Sequence, residues 1–171
     1  MDVAALDALA GDAFVAEASP WFEGAPRFLT RLAAGRPFGD APTLFERAEE
    51  IALAMPEDEQ LELIDAHPRL GAPPRSVSAD SFREQGYDRE TSEAIEELGR
   101  LNAEYEARFG FRFCVFVAGR PRSELVPILR GALAADRDAE IHRALRDVVA
   151  IARDRYERAA ATEAGAAGVA R

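Results

Sequence analysis

The stretch FRFCVFV, residues 111–117, decides the fold class because its pattern predicts a β-strand in an otherwise helical sequence. The stretch is aromatic and β-branched, and both kinds of residue are typical of strands. A strand needs a partner, and no second convincing strand pattern occurs in the sequence. We therefore predict an all-α fold, in which residues 111–117 form a buried extended segment that crosses a single-domain helical bundle.

Prolines and glycines mark the boundaries of the predicted helices. Pro26, Pro42 and Pro56 suit the first turn of a helix, and Gly35 and Gly110 suit the position after the last turn. The predicted helices are DAFVAEAS (12–19), PRFLTRLAAG (26–35), PTLFERAEEIALAM (42–55), PEDEQLELIDA (56–66), ETSEAIEELGRLNAEYEARFG (90–110), PRSELVPILRGALAAD (121–136) and DAEIHRALRDVVAIARDRYERAA (138–160).

Length and composition are those of one globular domain. The chain has 171 residues, of which 48% are hydrophobic and 30% charged, a profile typical of a soluble protein with a real core. With no internal repeat and no long linker, we predict one helical domain over residues 1–158. The tail at residues 159–171 has little to pack and is predicted to fray.

Charge and cysteine content limit the partners and the compartment. A net charge of −10 argues against nucleic acid and against an anionic membrane as partners. No apolar run could span a membrane, the N-terminus lacks the basic start of a secretion signal, and the single cysteine, Cys114, favours the cytoplasm. A small anionic ligand would need a local cationic pocket, so an arginine on an apolar helix face is of interest.

A histidine ends a predicted helix in LIDAHPRLGAPP, residues 63–74. Pro68 removes the next backbone donor and disfavours helical dihedral angles at His67. The negative end of the helix dipole would favour the protonated ring, and a histidine that titrates near neutrality is the ordinary protein acid/base. Two interpretations stay open: His67 caps helix carbonyls, or it transfers protons.

The segment SFREQ, residues 81–85, is a second candidate. Ser81 and Glu84 have the spacing of a capping box, which explains both residues without a function. Gln85 is left unexplained, and the free N–H groups at a helix start also bind anions. A cap and a binding site are therefore both open.

Helical spacing singles out Arg155 in the last predicted helix. An apolar stripe there follows steps of four, three and four residues: Ile141, Leu145, Val148 and Ala152. Arg155 lies about 20° from Val148 around the helix, whereas Arg153 lies about 140° away. A buried arginine must be paired or bound to a ligand; the alternative is a side chain that snorkels outward near the helix end.

Signatures of metal and nucleotide chemistry are missing from the sequence. The two histidines, His67 and His142, lie in no HExxH motif or Cys/His cluster, so we predict no metal site. No phosphate-binding loop or dinucleotide fingerprint occurs, so we predict no nucleotide cofactor. Cys114 lies in an apolar run and is predicted to be a small buried hydrophobic residue.

A resemblance to a known family rests on the order of four motifs: HPRLG (67–71), SFREQ (81–85), FGFRFCVFVAGR (109–120) and IARDRY (151–156). They resemble the cofactor-free decarboxylases of urate degradation, which act on 2-oxo-4-hydroxy-4-carboxy-5-ureidoimidazoline (OHCU) and yield (S)-allantoin. The similarity extends from FEGAPRF (22–28) to about Tyr156. It implies a carboxy-lyase without a cofactor, an anionic ureidoimidazoline substrate, and a homodimer.

The resemblance also implies the residues of the site. His67 would be the general acid/base, Glu84 its acidic partner, and Arg155 the arginine of the site. The residues implied to line the substrate pocket are Pro68, Ser81, Gln85, Phe113, Cys114, Val115, Phe116 and Val117.

The chain departs from the family at several positions. Arg112 stands where the family usually has proline, and Ala132 and Ala135 stand where it often has arginine and asparagine. The residues after Gln85 also differ. Two other functions stay open: hydrolysis or tautomerisation of a related ureide or cyclic amide at the same site, and a non-catalytic binding module, which would have no deep pocket joining residues 67, 84 and 155.

Overall fold

Helices make up most of the computed structural model, which describes residues 2–71 and 92–169, with side chains for residues 2–71 and 96–163. The α-helices are α1 (Val3–Asp7), α2 (Gly11–Ala18), α3 (Pro26–Ala34), α4 (Ala41–Ala54), α5 (Glu57–Asp65), α6 (Ser92–Phe109), α7 (Arg122–Ala132) and α8 (Arg137–Val169), and a 3₁₀ helix spans Ser19–Phe22. These described residues contain no β-strand, so the prediction of an all-α fold is confirmed.

Local signals set the helix boundaries as the sequence predicts. Pro26 occupies the first turn of α3, and the N–H of Gly35 closes that helix by donating to the carbonyls of residues 31 and 32. Helix α4 begins one residue earlier than predicted, because the Asp40 side chain accepts the N–H of Thr43 at 2.8 Å and caps the helix. Gly110 follows α6 with a φ of 79°, a conformation that glycine adopts without strain.

Helix α8 is the centre of the packing, because it contacts α4, α5 and the 3₁₀ helix. Helix α6 packs on α7, and α2 packs on α3. The apolar stripe predicted on α8 is buried: Ile141, Leu145, Val148 and Ala152. A polar residue on that face of α8 is therefore carried into the interior.

The last helix is longer than the sequence predicts. It continues past residue 158 to Val169, through residues that the composition assigns to a tail. The side chains of residues 161–163 are exposed, so this part of the added helix buries little apolar surface.

Residues 111–117 cross the helices as an extended segment, as predicted. The segment is largely buried, and the aromatic rings of Phe111 and Phe113 lie edge-on to Tyr105, with centroids 5.5 and 5.2 Å apart. Aromatic pairs in this geometry contribute about 0.5–1.5 kcal/mol each beyond the area that they bury. Burial of aromatic rings therefore holds the segment in place.

Charged side chains take the place of a partner strand for this segment. The N–H of Arg112 donates to the carboxylate of Asp65 at 2.9 Å, and Nη1 of Arg143 donates to the carbonyl of Cys114 at 2.9 Å. Buried backbone groups need hydrogen-bond partners. These side-chain bonds supply a partner for one N–H and one carbonyl of a segment that pairs with no strand among the described residues.

Arg143 is itself held by two carboxylates of its own helix and by an aromatic ring of the extended segment. Its Nη2 lies 2.8 Å from the carboxylate of Glu140 and its Nη1 lies 2.7 Å from that of Asp147. The hydroxyl of Tyr105 donates to Glu140 at 2.8 Å, and the guanidinium lies 4.8 Å above the ring of Phe113. Arg143 therefore connects α8 to the extended segment and is itself held in place by contacts on both sides.

Candidate active site

A pocket lies where the end of α5, the extended segment and α8 meet. Its described lining is His67, Pro68, Leu70, Phe113, Cys114, Val115, Phe116, Val117, Ile151 and Arg155. The structure thus brings together every described residue that the sequence analysis assigned to the site. Ser81, Glu84 and Gln85 lie outside the described residues, so their place in the site stays a prediction.

His67 is held at the end of α5 by both its backbone and its ring. Its N–H donates to the carbonyl of Ile64 at 3.1 Å, and its Nδ1 lies 3.2 Å from the carbonyl of Leu63. The side chain is only 3% exposed, and Nε2 has no hydrogen-bond partner among the described residues. A carbonyl oxygen can only accept a hydrogen bond, so the neutral ring carries its hydrogen on Nδ1 and donates it to Leu63. Helix capping and a place in the pocket are therefore compatible.

The charge state of His67 differs from the expectation. Burial, together with the positive charge of Arg155, lowers the pKa of His67 from 6.5 to about 4, although Glu23 and the Leu63 carbonyl act in the opposite direction. At neutral pH the ring is uncharged. The expectation that the helix dipole favours the protonated ring is wrong, because the desolvation of a buried charge outweighs the dipole.

Arg155 lies on the buried face of α8, where the helical spacing placed it. Its Nη1 donates to the carbonyls of Pro20 and Trp21 at 2.9 and 3.3 Å, and its Nη2 donates to the carboxylate of Glu23 at 2.8 Å. Its neighbour on α8, Arg153, is exposed. The interpretation that Arg155 snorkels into solvent is therefore wrong.

The sequence analysis assigned no role to Glu23. This residue caps the end of the 3₁₀ helix with a φ of 51°, and its carboxylate pairs with Arg155, which is 132 residues further along the chain. Only the motif FEGAPRF pointed to this stretch, and it gave no reason to choose the glutamate. The sequence analysis also missed Leu70 and Ile151 of the pocket lining, because each looks like an ordinary core residue.

Arg112 connects the extended segment to the end of α5. Its Nη1 donates to the carbonyl of Asp65 at 2.7 Å and to the carbonyl of His67 at 3.2 Å. Together with the bond from its N–H to the Asp65 carboxylate, these contacts fix the backbone beside His67. A proline at this position has no N–H and could not make the bond to the carboxylate. The departure from the resembled family thus has a local structural consequence.

The described residues contain neither a cluster of metal ligands nor a candidate membrane span. Within residues 2–71 and 96–163, no three His, Cys, Asp or Glu side chains lie together in a way that could hold a metal ion. In the same part of the chain, no helix has the length and apolar character that a membrane span requires. Cys114 is buried, as predicted.

Sequence comparison connects the chain to one family. The profile of the family described as OHCU decarboxylase matches residues 7–157. The uric acid degradation bifunctional protein PucL of Bacillus subtilis is 36% identical over 137 residues, which cover 78% of this chain and 28% of that protein. The 2-oxo-4-hydroxy-4-carboxy-5-ureidoimidazoline decarboxylase of Haloferax volcanii is 26% identical over 143 residues, which cover 82% of this chain and 85% of that protein.

Two solved structures share the fold. A crystal structure of OHCU decarboxylase in the presence of (S)-allantoin matches with a TM-score of 0.68 and 21% identity, over 81% of this chain and 93% of that one. A crystal structure of (S)-allantoin synthase matches with a TM-score of 0.66 and 20% identity, over 89% of this chain and 51% of that one.

The matches cover most of this chain but only part of the two Bacillus relatives. The chain spans 28% of the length of each of two Bacillus uric acid degradation bifunctional proteins. The family profile, in contrast, covers residues 7–157 of the 171 in the chain. The chain therefore belongs to the OHCU decarboxylase family.

Proposed function

We propose that this chain decarboxylates OHCU to (S)-allantoin in urate degradation without a cofactor, with His67 as general acid/base and Glu84 as its partner. The observation that carries the proposal is the pocket that contains both His67 and Arg155. The pocket contains a buried imidazole and a buried cation. The cation can bind an anionic substrate, and the imidazole can accept or donate a proton of that substrate. Membership of the family and the name of the Haloferax relative support the same reaction.

The substrate brings its own electron sink. Its carboxylate lies on a ring carbon that also bears a hydroxyl and that neighbours a ring C=N bond. When the carbon–carboxylate bond breaks, CO₂ leaves and its electron pair forms a C=C bond to the neighbouring ring carbon, while the C=N π electrons move onto the ring nitrogen, which takes a proton from water. The hydroxyl then loses its proton as a C=O bond forms, and the neighbouring carbon gains a proton on one face. No pyridoxal or thiamine is required for this sequence.

His67 is suited to move the hydroxyl proton. The bond between Nδ1 and the Leu63 carbonyl fixes the tautomer, so Nε2 carries the lone pair. With a pKa of about 4, the ring is neutral at physiological pH and is ready to accept a proton. Burial destabilises the protonated ring, which can therefore give up its proton. Either His67 or Glu84 would then deliver the final proton to the ring carbon of the substrate.

Arg155 is suited to hold the anionic substrate. The net charge of −10 repels an anion at long range, so a local cation is needed for binding. The guanidinium is planar, and its N–H groups can stabilise negative charge that moves onto the ring during decarboxylation.

Further roles follow from the family resemblance alone. Glu84 would orient His67 or carry a second proton, and Ser81 and Gln85 would bind the substrate. Pro68 and residues 113–117, which line the pocket, would contact the substrate.

An assay of both products tests the function. Purified protein is mixed with freshly generated OHCU, CO₂ is measured, and the chirality of the allantoin is followed by circular dichroism. We expect one CO₂ for each (S)-allantoin. His67→Asn should abolish turnover, whereas His142→Asn, at the other histidine of the chain, should not. Conversion of a ureide without CO₂ would favour the hydrolase or tautomerase, and no turnover at all would favour the binding module.

The assembly and compartment complete the proposal. We infer a homodimer from the family resemblance and a cytoplasmic location from the single cysteine. Sedimentation equilibrium should give twice the chain mass of 18.6 kDa. A species of 18.6 kDa at micromolar concentration would contradict the dimer.

A further inference from the structure

We propose that Glu23 is a positioning residue of this site, which holds the guanidinium of Arg155 in the pocket wall and balances its charge beside His67. The kinetic consequence of this role rests on the proposed function. The structural consequence does not, because it concerns three side chains of the folded protein.

The geometry shows how the guanidinium is anchored. Arg155 enters from α8 and donates to the carbonyls of Pro20 and Trp21 and to the carboxylate of Glu23. The carbonyls carry no net charge, whereas Glu23 supplies a full negative charge at 2.8 Å. The side chains of Arg155 and Glu23 are 4% and 17% exposed, so water screens the pair only weakly. Residues 20–23 and α8 are thereby joined at the pocket.

The backbone of Glu23 supports a specific role. Its φ of 51° is left-handed, and Gly24 follows with a φ of 79°. A residue with a side chain adopts the left-handed region at a cost, so glycine or asparagine is the usual choice there. At Glu23 this conformation is accompanied by a charged bond to Arg155, which directs the carboxylate into the protein.

Glu23 and Arg155 act on His67 in opposite directions. Arg155 lowers the pKa of His67 and Glu23 raises it. Among the described residues, the charges that act on the ring of His67 are Arg155 from α8 and Glu23 from the end of the 3₁₀ helix. Cys114 of the extended segment shares the pocket, and Arg112 of the same segment donates to the backbone carbonyl of His67. Removal of the Glu23 charge should therefore leave His67 harder to protonate, and removal of the Arg155 charge should make it easier.

Glu23→Gln is the primary test, with Glu59→Gln as its matched control. The side chain of Glu59 is 14% exposed and pairs with Arg31, at 2.6 Å from Nε, in the first turn of α5, whereas His67 follows the other end of that helix. We expect kcat/KM for OHCU to fall roughly ten- to a hundredfold in Glu23→Gln, because Arg155 loses its alignment. Glu59→Gln should stay within about twofold of the wild type, and Glu23→Asp, which keeps the charge, should recover part of the loss.

A titration by NMR tests the role without substrate. The chain has two histidines, so His142→Asn assigns the ring signals. The signal of His67 should shift at lower pH in Glu23→Gln than in the wild type, and at higher pH in Arg155→Gln. A side chain that only stabilised the fold would not move the titration in these opposite directions.

The outcomes separate the two proposals. If the wild type does not decarboxylate OHCU, the proposed function fails, while the titration still tests Glu23. If kcat/KM and the His67 titration are both unchanged in folded Glu23→Gln, the role of Glu23 is overturned. Should Glu23→Gln not fold, the Glu23→Gln/Arg155→Gln pair removes both charges together. Its kcat/KM should equal that of Arg155→Gln, and a further loss would show that Glu23 does not act through Arg155.

Discussion

Arg143 of α8 donates a hydrogen bond of 2.9 Å from Nη1 to the backbone carbonyl of Cys114 in the pocket wall. The same guanidinium pairs with Glu140 and Asp147 on its own helix. Since α8 also carries Arg155, the same helix supplies one pocket residue itself and holds a second, Cys114, through a hydrogen bond. The shape of the pocket therefore depends on how α8 is seated in the bundle.

Arg143→Met should destabilise the fold strongly. The variant leaves the buried carboxylate of Glu140 without its arginine, although Tyr105 still donates to it, and the loss of a partner from a buried polar group costs about 1–3 kcal/mol. Urea unfolding measures this cost. Arg146→Met is the control, because Arg146 pairs with Glu49 at the surface of the same helix and should cost no more than about 1 kcal/mol. Similar losses in the two variants would contradict a bracing role for Arg143.

The unfolding free energy should decrease as the pH is lowered, because His67 becomes harder to protonate when the chain folds. Its pKa is about 4 in the folded chain and 6.5 ordinarily, so between these values the unfolded chain binds more protons. This contribution is complete above pH 6.5 and is lost as the pH falls toward 4. From pH 7.5 to pH 5, the wild type should lose roughly 2 kcal/mol more of its unfolding free energy than His67→Asn. Urea unfolding at both pH values measures the difference, and equal losses would argue against a neutral buried ring.

Arg155→Lys should impair catalysis more than folding. Lysine keeps the charge but loses the planar fork that bonds Pro20, Trp21 and Glu23. We expect kcat/KM to fall by about tenfold or more, while the circular dichroism spectrum is retained. Arg153→Lys is the control, since Arg153 is exposed and its guanidinium lies over the ring of Phe45. An equal effect of the two substitutions would refute the assignment of Arg155.

Glu84→Gln separates a cap from a catalytic partner. Glutamine can still make a capping box but has no carboxylate. If Glu84 serves His67, turnover should fall by roughly a hundredfold, with a stability change below about 1 kcal/mol. Activity within a few-fold of the wild type would leave Glu84 as a cap alone.

Interactions between near neighbours in the chain were predictable. Pro26 and Gly35 act within one turn of α3, so its ends follow from the residue types. The buried face of α8 follows from spacing, which is why Arg155 could be separated from Arg153 without a structure. Asp40 shows the limit of such patterns, since its cap moved the start of α4 by one residue.

The sequence by itself determined the all-α class, most helix boundaries and the face of α8 on which Arg155 lies, because periodicity and turn chemistry act over a few residues. Only the tertiary structure decided the partners of these groups. Arg155 pairs with Glu23 across 132 residues, and Arg143 reaches Cys114 across 29. It also decided that His67 is neutral, because the desolvation of a ring depends on all the elements that surround it, and not on the helix that carries it.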